Sequence, residues 1–142
     1  MKIRSKLPDV GVTIFTVMSK LAADHGAHNL SQGFPDFDVS PDLVSLVEHY
    51  MHSGHNQYAP MQGVPVLCER IAEKIRMVYG AEVDPQSQIT VTSGATEALF
   101  AAISAVVGPG DEVIILEPAY DSYAPVVALN GGRPVFRQMK YP

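Results

Sequence analysis

The stretch ITVTSGATEALFAAI, residues 89–103, is an apolar segment interrupted by four small residues. Ile89–Thr92 is rich in β-branched residues, which favours a strand. Ala95–Val107 is almost wholly apolar over a helical length, which predicts a helix that is buried on most sides. Ser93–Thr96 then forms a strand-to-helix turn. Small residues at such a turn indicate either close packing or a ligand that lies against the backbone.

The elements after this turn continue the same alternation. Glu112–Leu116 is a continuous aliphatic run, which is typical of a strand buried on both faces. The sequence EPAYDSYAPVVALNGG, residues 117–132, predicts a turn, a helix and a stop, and Arg133–Phe136 begins a further strand. The order strand, helix, strand, helix, strand predicts an α/β fold with a parallel sheet and helical crossovers.

Three helices are predicted before the turn. Thr13–His25 places apolar residues at helical spacing. Ser40 has the residue type of an N-cap, and Pro41 would be the first helical residue. Val64–Tyr79 carries one apolar stripe and is followed by Gly80, the residue expected just beyond a helix end.

Composition and charge restrict the class of protein. The chain has 142 residues, of which 46% are hydrophobic and 18% charged, so it suits a globular domain. A net charge of −5 argues against a general binder of nucleic acid or anionic membranes. One cysteine excludes an intramolecular disulfide framework. With no secretory signal and no stretch of membrane-spanning length, we expect a soluble cytoplasmic protein.

The turn could bind a phosphate group. The first N–H groups of a helix lack internal partners and carry the positive end of the helix dipole. Gly94 and Ala95 would let an anion approach these groups, and Thr96 adds a hydroxyl. The stretch lacks the lysine of a Walker motif and the glycine spacing of a dinucleotide fingerprint. Glu97 would place a negative charge near the anion, so a close-packed turn without a ligand remains the alternative.

A tyrosine follows the neighbouring predicted strand. Tyr120 lies in the loop after Glu112–Leu116, at the carboxyl ends of the strands, where open α/β sheets bind ligands. A phosphate site beside an aromatic ring is what a flat phosphorylated cofactor requires. The alternative is that Tyr120 covers the hydrophobic core.

Four segments, in this order and at this spacing, resemble the class I aminotransferases of fold type I, which depend on pyridoxal 5′-phosphate (PLP). Within that family the chain is most similar to the group of bacterial methionine aminotransferases and kynurenine–glutamine transaminases, a similarity that SKLPDVGVTIFTVMS at 5–19 supports. The four segments are NLSQGFPDF at 29–37, NQYAPMQGVPVLCERIA at 56–72, ITVTSGATEAL at 89–99 and GDEVIILEPAYDSYAP at 110–125.

The resemblance covers the first third or so of such an enzyme. It implies that residues 1–40 form an N-terminal arm and substrate-side loop, and that residues 41–142 are the first part of the PLP-binding large domain. A third strand that ends near residue 142 would leave one bare sheet edge. We therefore expect the chain to be the front part of a larger protein, or to pair with another chain.

The resemblance also implies roles for individual residues. The backbone of Gly94, Ala95 and Thr96 would hold the cofactor phosphate, and Tyr120 would stack on the pyridine ring. Tyr58 would reach the phosphate bound by the neighbouring subunit of a homodimer.

Two further positions are implied to face the substrate. Gly33 would offer its backbone N–H to the substrate carboxylate, and Phe34 would shape the pocket. Asp121 and Tyr123 would flank the stacked ring.

The resemblance places the catalytic lysine, which forms the Schiff base, beyond Pro142. Lys20, Lys74 and Lys140 do not fall in the lysine motif of the family, so no residue of this chain is assigned a catalytic role. The 142-residue chain alone is expected to be inactive.

The implied function of the intact enzyme is PLP-dependent transamination between methionine, or a similar apolar or aromatic amino acid, and a 2-oxo acid. One alternative is a PLP-dependent β-lyase acting on cysteine-like substrates, and another is a non-catalytic phosphate-binding module. His49, His52 and His55 have helical spacing, but no cysteine or carboxylate completes a metal-ligand set there. We expect no metal site and interpret the histidines as a solvated face.

Overall fold

A computed structural model describes residues 4–140. Over this range it contains five helices and two strands, in two compact units. One unit joins the residues up to Gln32 with those from Ser93 onward, and the other is Gly33–Thr92. The elements are α1 (Ile14–Asp24), α2 (Pro41–His52), α3 (Pro65–Tyr79), α4 (Gly94–Val106), β1 (Glu112–Glu117), α5 (Tyr123–Leu129) and β2 (Arg133–Gln138).

The helix ends follow the residue types at their termini. Thr13 caps α1, since its hydroxyl accepts a hydrogen bond from the N–H of Thr16 at 3.3 Å. Ser40 precedes α2 as predicted, but its side chain makes no capping bond, and Pro41 occupies the first turn. Gly80 ends α3 with φ at +66°, in the left-handed region that glycine adopts without steric cost.

A parallel pair of strands forms the sheet of the first unit. β1 and β2 align with Ile114 opposite Val135, and α5 connects them and packs against both. Glu112 and Arg133 are partners at the start of this register and form an ion pair. The β1–α5–β2 arrangement is the parallel crossover that the sequence predicted.

The strand predicted at Ile89–Thr92 is wrong, because the structure has no strand there. The N–H of Val91 donates to the carbonyl of Gln62 at 2.8 Å, in a loop of the same unit. The N–H of Val91 is thus satisfied by a loop that lies earlier in the sequence rather than by a neighbouring strand. The described sheet accordingly has two strands instead of three.

The buried hydrophobic residues are few. Ile115, Val126 and Val127 lie at the β1–α5 contact of the first unit, and Cys68 is buried in the second. The prediction that α4 is buried on most sides is wrong, since none of its residues is buried. Among the elements described, α4 packs against α5 alone, which leaves much of its surface exposed.

Candidate functional site

The turn before α4 has an open glycine at its centre. Ser93 occupies the N-cap position with φ −74° and ψ 68°, and its side chain makes no capping hydrogen bond. Gly94 follows with φ at +83°, a conformation that residues with a Cβ rarely adopt. A Cβ built on Gly94 would meet no atom within 4 Å. The turn therefore leaves room for a ligand to lie directly against the backbone.

The first residues of α4 supply the positive end of a helix. Ala95 and Thr96 fall within the first turn, where backbone N–H groups have no partner inside the helix. The helix has 13 residues, so its dipole is well developed at this end. An anion placed at the turn would be stabilised by these dipoles.

Glu97 is also part of this turn. Its carboxylate accepts a hydrogen bond from the N–H of Ser93. The sequence suggested that Glu97 would bring an unfavourable charge to the anion. In the structure, the carboxylate also bonds to the amide that precedes Gly94. Sequence reasoning missed this contact because it treated Glu97 only as a charge.

Tyr120 lies close to this turn. The hydroxyl of Thr96 and then that of Ser122 hydrogen-bond to the Tyr120 hydroxyl and lower the pKa of Tyr120 below its usual value of 10.0. These bonds favour the phenolate over the phenol. Tyr120 is half-exposed, and its ring meets that of Tyr123 edge to face, with centroids 5.8 Å apart. The two loops that the sequence placed at one end of the fold are thus in contact.

The pKa of Tyr120 provides a direct test of this contact. We expect Tyr120 to ionise at a lower pH than a free tyrosine, and Thr96→Val to raise that pH because it removes the first of the two hydroxyl donors. Because its folded-state pKa is lowered, Tyr120 adds pH-dependent stability under alkaline conditions. That stability is lost as the pH falls through the folded-state pKa.

The measurement is the phenolate absorbance of the chain during an alkaline titration. Tyr120→Phe should remove the ionisation that Thr96→Val shifts, and Tyr79→Phe, at a residue 77% exposed, serves as the control. An unchanged early ionisation in Thr96→Val would show that the two hydroxyls are not bonded in solution.

A groove of about 510 Å³ adjoins the turn within the first unit. Its walls include the arm residues from Val10 to Ile14 on one side, and Thr96, Phe100 and Asp121 on the other. No sequence motif pointed to residues 10–14 as part of the site. Val10 and Val12 are apolar residues outside any helix, and their apolar character is the feature of the sequence that could have indicated a binding surface.

The charged side chains near the Ser93–Thr96 turn and the Tyr120 loop would not attract an anion. Glu97 and Asp121 are both acidic. Attraction for an anion must then come from the backbone N–H groups at the start of α4.

Three of the predicted site residues belong to the second unit. Gly33 has open space around the position of a Cβ, and Phe34 is 68% exposed. Tyr58 is fully exposed to solvent. Their assigned contacts with substrate and cofactor stay predictions.

Of the three histidines at and just after the end of α2, two make ring contacts. The rings of His49 and His55 each meet the ring of Tyr50 edge to face, at centroid distances of 5.2 and 5.3 Å. His52 lies 4.0 Å from Glu48, and both side chains are largely exposed. Within residues 4–140 no group of three or more potential ligands could hold a metal ion.

The protein family of the chain follows from a match to a family model. The model of the class I and class II aminotransferases matches residues 26–141. The chain belongs to this family. The resemblance that four motifs carried is thereby confirmed, and the family's cofactor is PLP, which combines a flat ring with a phosphate group.

Individual aminotransferases are similar over most of the chain. Methionine aminotransferase of Escherichia coli (strain K12) is 59% identical over 129 residues, which cover 91% of this chain and 33% of the relative. Kynurenine–oxoglutarate transaminase 1 of Homo sapiens is 42% identical over 123 residues, which cover 85% of this chain and 29% of the relative. The aminotransferase chain thus spans about a third of the length of these curated relatives.

Solved aminotransferase structures share the fold. An Escherichia coli protein with an identified methionine aminotransferase function matches with a TM-score of 0.92 and 54% identity, covering 100% of this chain and 37% of that one. This confirms the predicted fold class, an α/β fold that corresponds to the N-terminal part of a fold type I aminotransferase. Among residues 4–140, no helix is long and apolar enough to cross a membrane.

Proposed function

We propose that the intact enzyme containing this chain transfers the amino group between methionine, or a similar apolar or aromatic amino acid, and a 2-oxo acid. The observation that carries the proposal is the contact between Thr96 and Tyr120, which joins a helix N-terminus to an aromatic ring. A phosphate and a flat ring of one molecule need these two features side by side. The similarity to a methionine aminotransferase supports the choice of amino acid.

The residues of the first unit fit PLP. The backbone of Gly94, Ala95 and Thr96 would hold the phosphate, because the space beside Gly94 is open and the dipole of α4 favours an anion. Tyr120 would stack on the pyridine ring, while Thr96 holds its hydroxyl in place. When bound, PLP supplies an electron sink for the charge that develops at the amino-acid Cα after proton loss.

We also propose roles for three residues of the second unit. Gly33 would donate its N–H to the substrate carboxylate, and Phe34 would shape the pocket around the side chain of the substrate. Tyr58 would contact the phosphate bound by the partner subunit of a homodimer. Its complete exposure supports this proposal, since the ring is available to another chain.

The arm and large domain of the enzyme would be divided near residue 40. Residues 1–40 would be the N-terminal arm and substrate-side loop, and residues 41–142 the first part of the PLP-binding domain. We propose a cytoplasmic location for the enzyme.

Neither alternative function gains support from the relatives. The proteins named above are described as aminotransferases or transaminases rather than lyases or binding modules. The proposal is tested by adding PLP to the intact enzyme and recording its absorbance spectrum, then supplying methionine and a 2-oxo acid. We expect a bound-cofactor spectrum and formation of the 2-oxo acid of methionine. Release of ammonia with elimination products would indicate a lyase, and no spectral change would indicate a module without PLP.

The 142-residue chain by itself should not transaminate. The reaction requires a lysine as base, and Lys20, Lys74 and Lys140 do not match the lysine motif of the family. The side chain of Lys20 pairs with Asp24 on the surface of α1, at a distance of 2.6 Å. We expect no turnover with methionine and 2-oxo acids, measured by product formation under conditions where the intact enzyme is active. Ping-pong kinetics from the chain alone would contradict this expectation.

A further inference from the structure

We propose that Glu97 is a positioning residue that holds the Ser93–Thr96 turn in its anion-binding shape. The inference rests on the proposed function, and it assigns a role to a side chain that would not touch the cofactor. Its basis is the hydrogen bond from the N–H of Ser93 to the Glu97 carboxylate.

Two features of the turn make its conformation depend on the contacts around it. Ser93 makes no side-chain capping bond, although serine at this position usually accepts one from the helix. Gly94 has the largest backbone freedom of any residue type and sits at positive φ. A hydrogen bond that holds the Ser93 amide therefore restricts the backbone conformations open to residues 93–94.

Glu97 supplies that contact across one helical turn. It is the only acidic residue in the first turn of α4. Its carboxylate closes a loop around Gly94 by accepting from the residue before it. A charged acceptor makes a stronger hydrogen bond than a neutral one, and the dipole at the helix start favours its charge. The turn is thus held in place before any ligand arrives.

The same carboxylate also repels a phosphate group. A carboxylate in the first turn and a phosphate at the helix end are like charges a few residues apart. Glu97 therefore has two opposed effects on anion binding: order in the turn, which favours binding, and repulsion, which disfavours it. Two substitutions separate these effects, because glutamine keeps an acceptor oxygen without the charge and alanine removes both.

The test measures PLP affinity and amide hydrogen exchange in the intact enzyme, after removal of its cofactor. We expect Glu97→Ala to speed exchange at Ser93 and to weaken PLP binding about tenfold, since one charged hydrogen bond is lost. Glu97→Gln should keep the protection of Ser93 and bind PLP within about threefold of the unsubstituted enzyme, because weaker bonding and relieved repulsion offset each other.

Glu48→Ala is the matched control, since it makes the same change in net charge on α2 of the other unit. It should alter neither measurement. The inference is overturned if Ser93 exchanges equally in Glu97→Ala and the unsubstituted enzyme, or if both Glu97 variants bind PLP more tightly. Absence of PLP binding by the unsubstituted enzyme would defeat the proposed function, while the exchange rates of Ser93 would still decide whether Glu97 braces the turn.

Discussion

Gly94→Ala is expected to weaken PLP binding by the intact enzyme by about 10- to 100-fold. Gly94 has φ at +83°, where a Cβ is strained by about 1–3 kcal/mol, so the turn would shift toward a negative φ. The new methyl group would also enter the open space beside the turn, which the phosphate is proposed to occupy. Affinity is measured by titrating PLP into the cofactor-free enzyme and following its absorbance.

Gly110→Ala is the matched control for backbone strain. Gly110 has φ at +89°, and a Cβ there would also meet no atom within 4 Å. Gly110 precedes β1 rather than α4, so its replacement changes the same kind of backbone at a different place. Both variants should lose about 1 kcal/mol of stability, and only Gly94→Ala should lose PLP affinity. Equal affinities for the two variants would remove Gly94 from the cofactor site.

The helices could be predicted closely because their ends depend on local chemistry. Gly80 ends α3 in the left-handed region, and Pro41 begins α2, as their residue types indicated. β1 was also predicted correctly, since a short continuous run of aliphatic residues is typical of a strand in a parallel sheet. These elements required no knowledge of distant contacts.

The failures concern contacts between distant parts of the chain. Ile89–Thr92 has strand-forming residues, but the amide of Val91 pairs with Gln62, almost 30 residues earlier in the sequence. The apolar composition of α4 likewise predicted a buried helix. The burial of its side chains depends on which other elements pack against it, and among the described elements only α5 does. Local pattern alone does not determine either result.

The candidate site was partly accessible to sequence reasoning. The sequence placed Ser93–Thr96 and Tyr120 at one edge of a parallel sheet. The strand expected before Ser93 is absent, but Thr96 and Tyr120 are still brought together. The hydrogen bond of Glu97 could not be chosen in advance, because a carboxylate near a helix start can face solvent, an amide or a ligand. Only the conformation of the turn decides among them.

Gly63→Ala is expected to cause the largest loss of stability among single glycine replacements in the second unit, about 4 kcal/mol. Gly63 has φ at +119°, and a Cβ there would lie 2.5 Å from Cγ2 of Val91 and 3.3 Å from Sγ of Cys68. The Val91 contact is below the separation that carbon atoms tolerate, and Cys68 is buried, so the new methyl group would force its surroundings to shift. Urea unfolding followed by circular dichroism measures the change.

Gly80→Ala separates the crowding at Gly63 from the strain of a positive φ. Gly80 has φ at +66° in the same unit, and a Cβ there would meet open space, so its replacement should cost only about 1 kcal/mol. Similar losses for the two variants would show that Val91 moves easily and that Gly63 is not closely packed.

The packing of Gly63 matters for the proposed cofactor site because Val91 is two residues before Ser93. Packing of Gly63 against Val91, together with the Val91–Gln62 hydrogen bond, restrains the chain two residues before the turn that we propose binds phosphate. Gly63→Ala should therefore also weaken PLP binding by the intact enzyme, although Gly63 would not touch the cofactor.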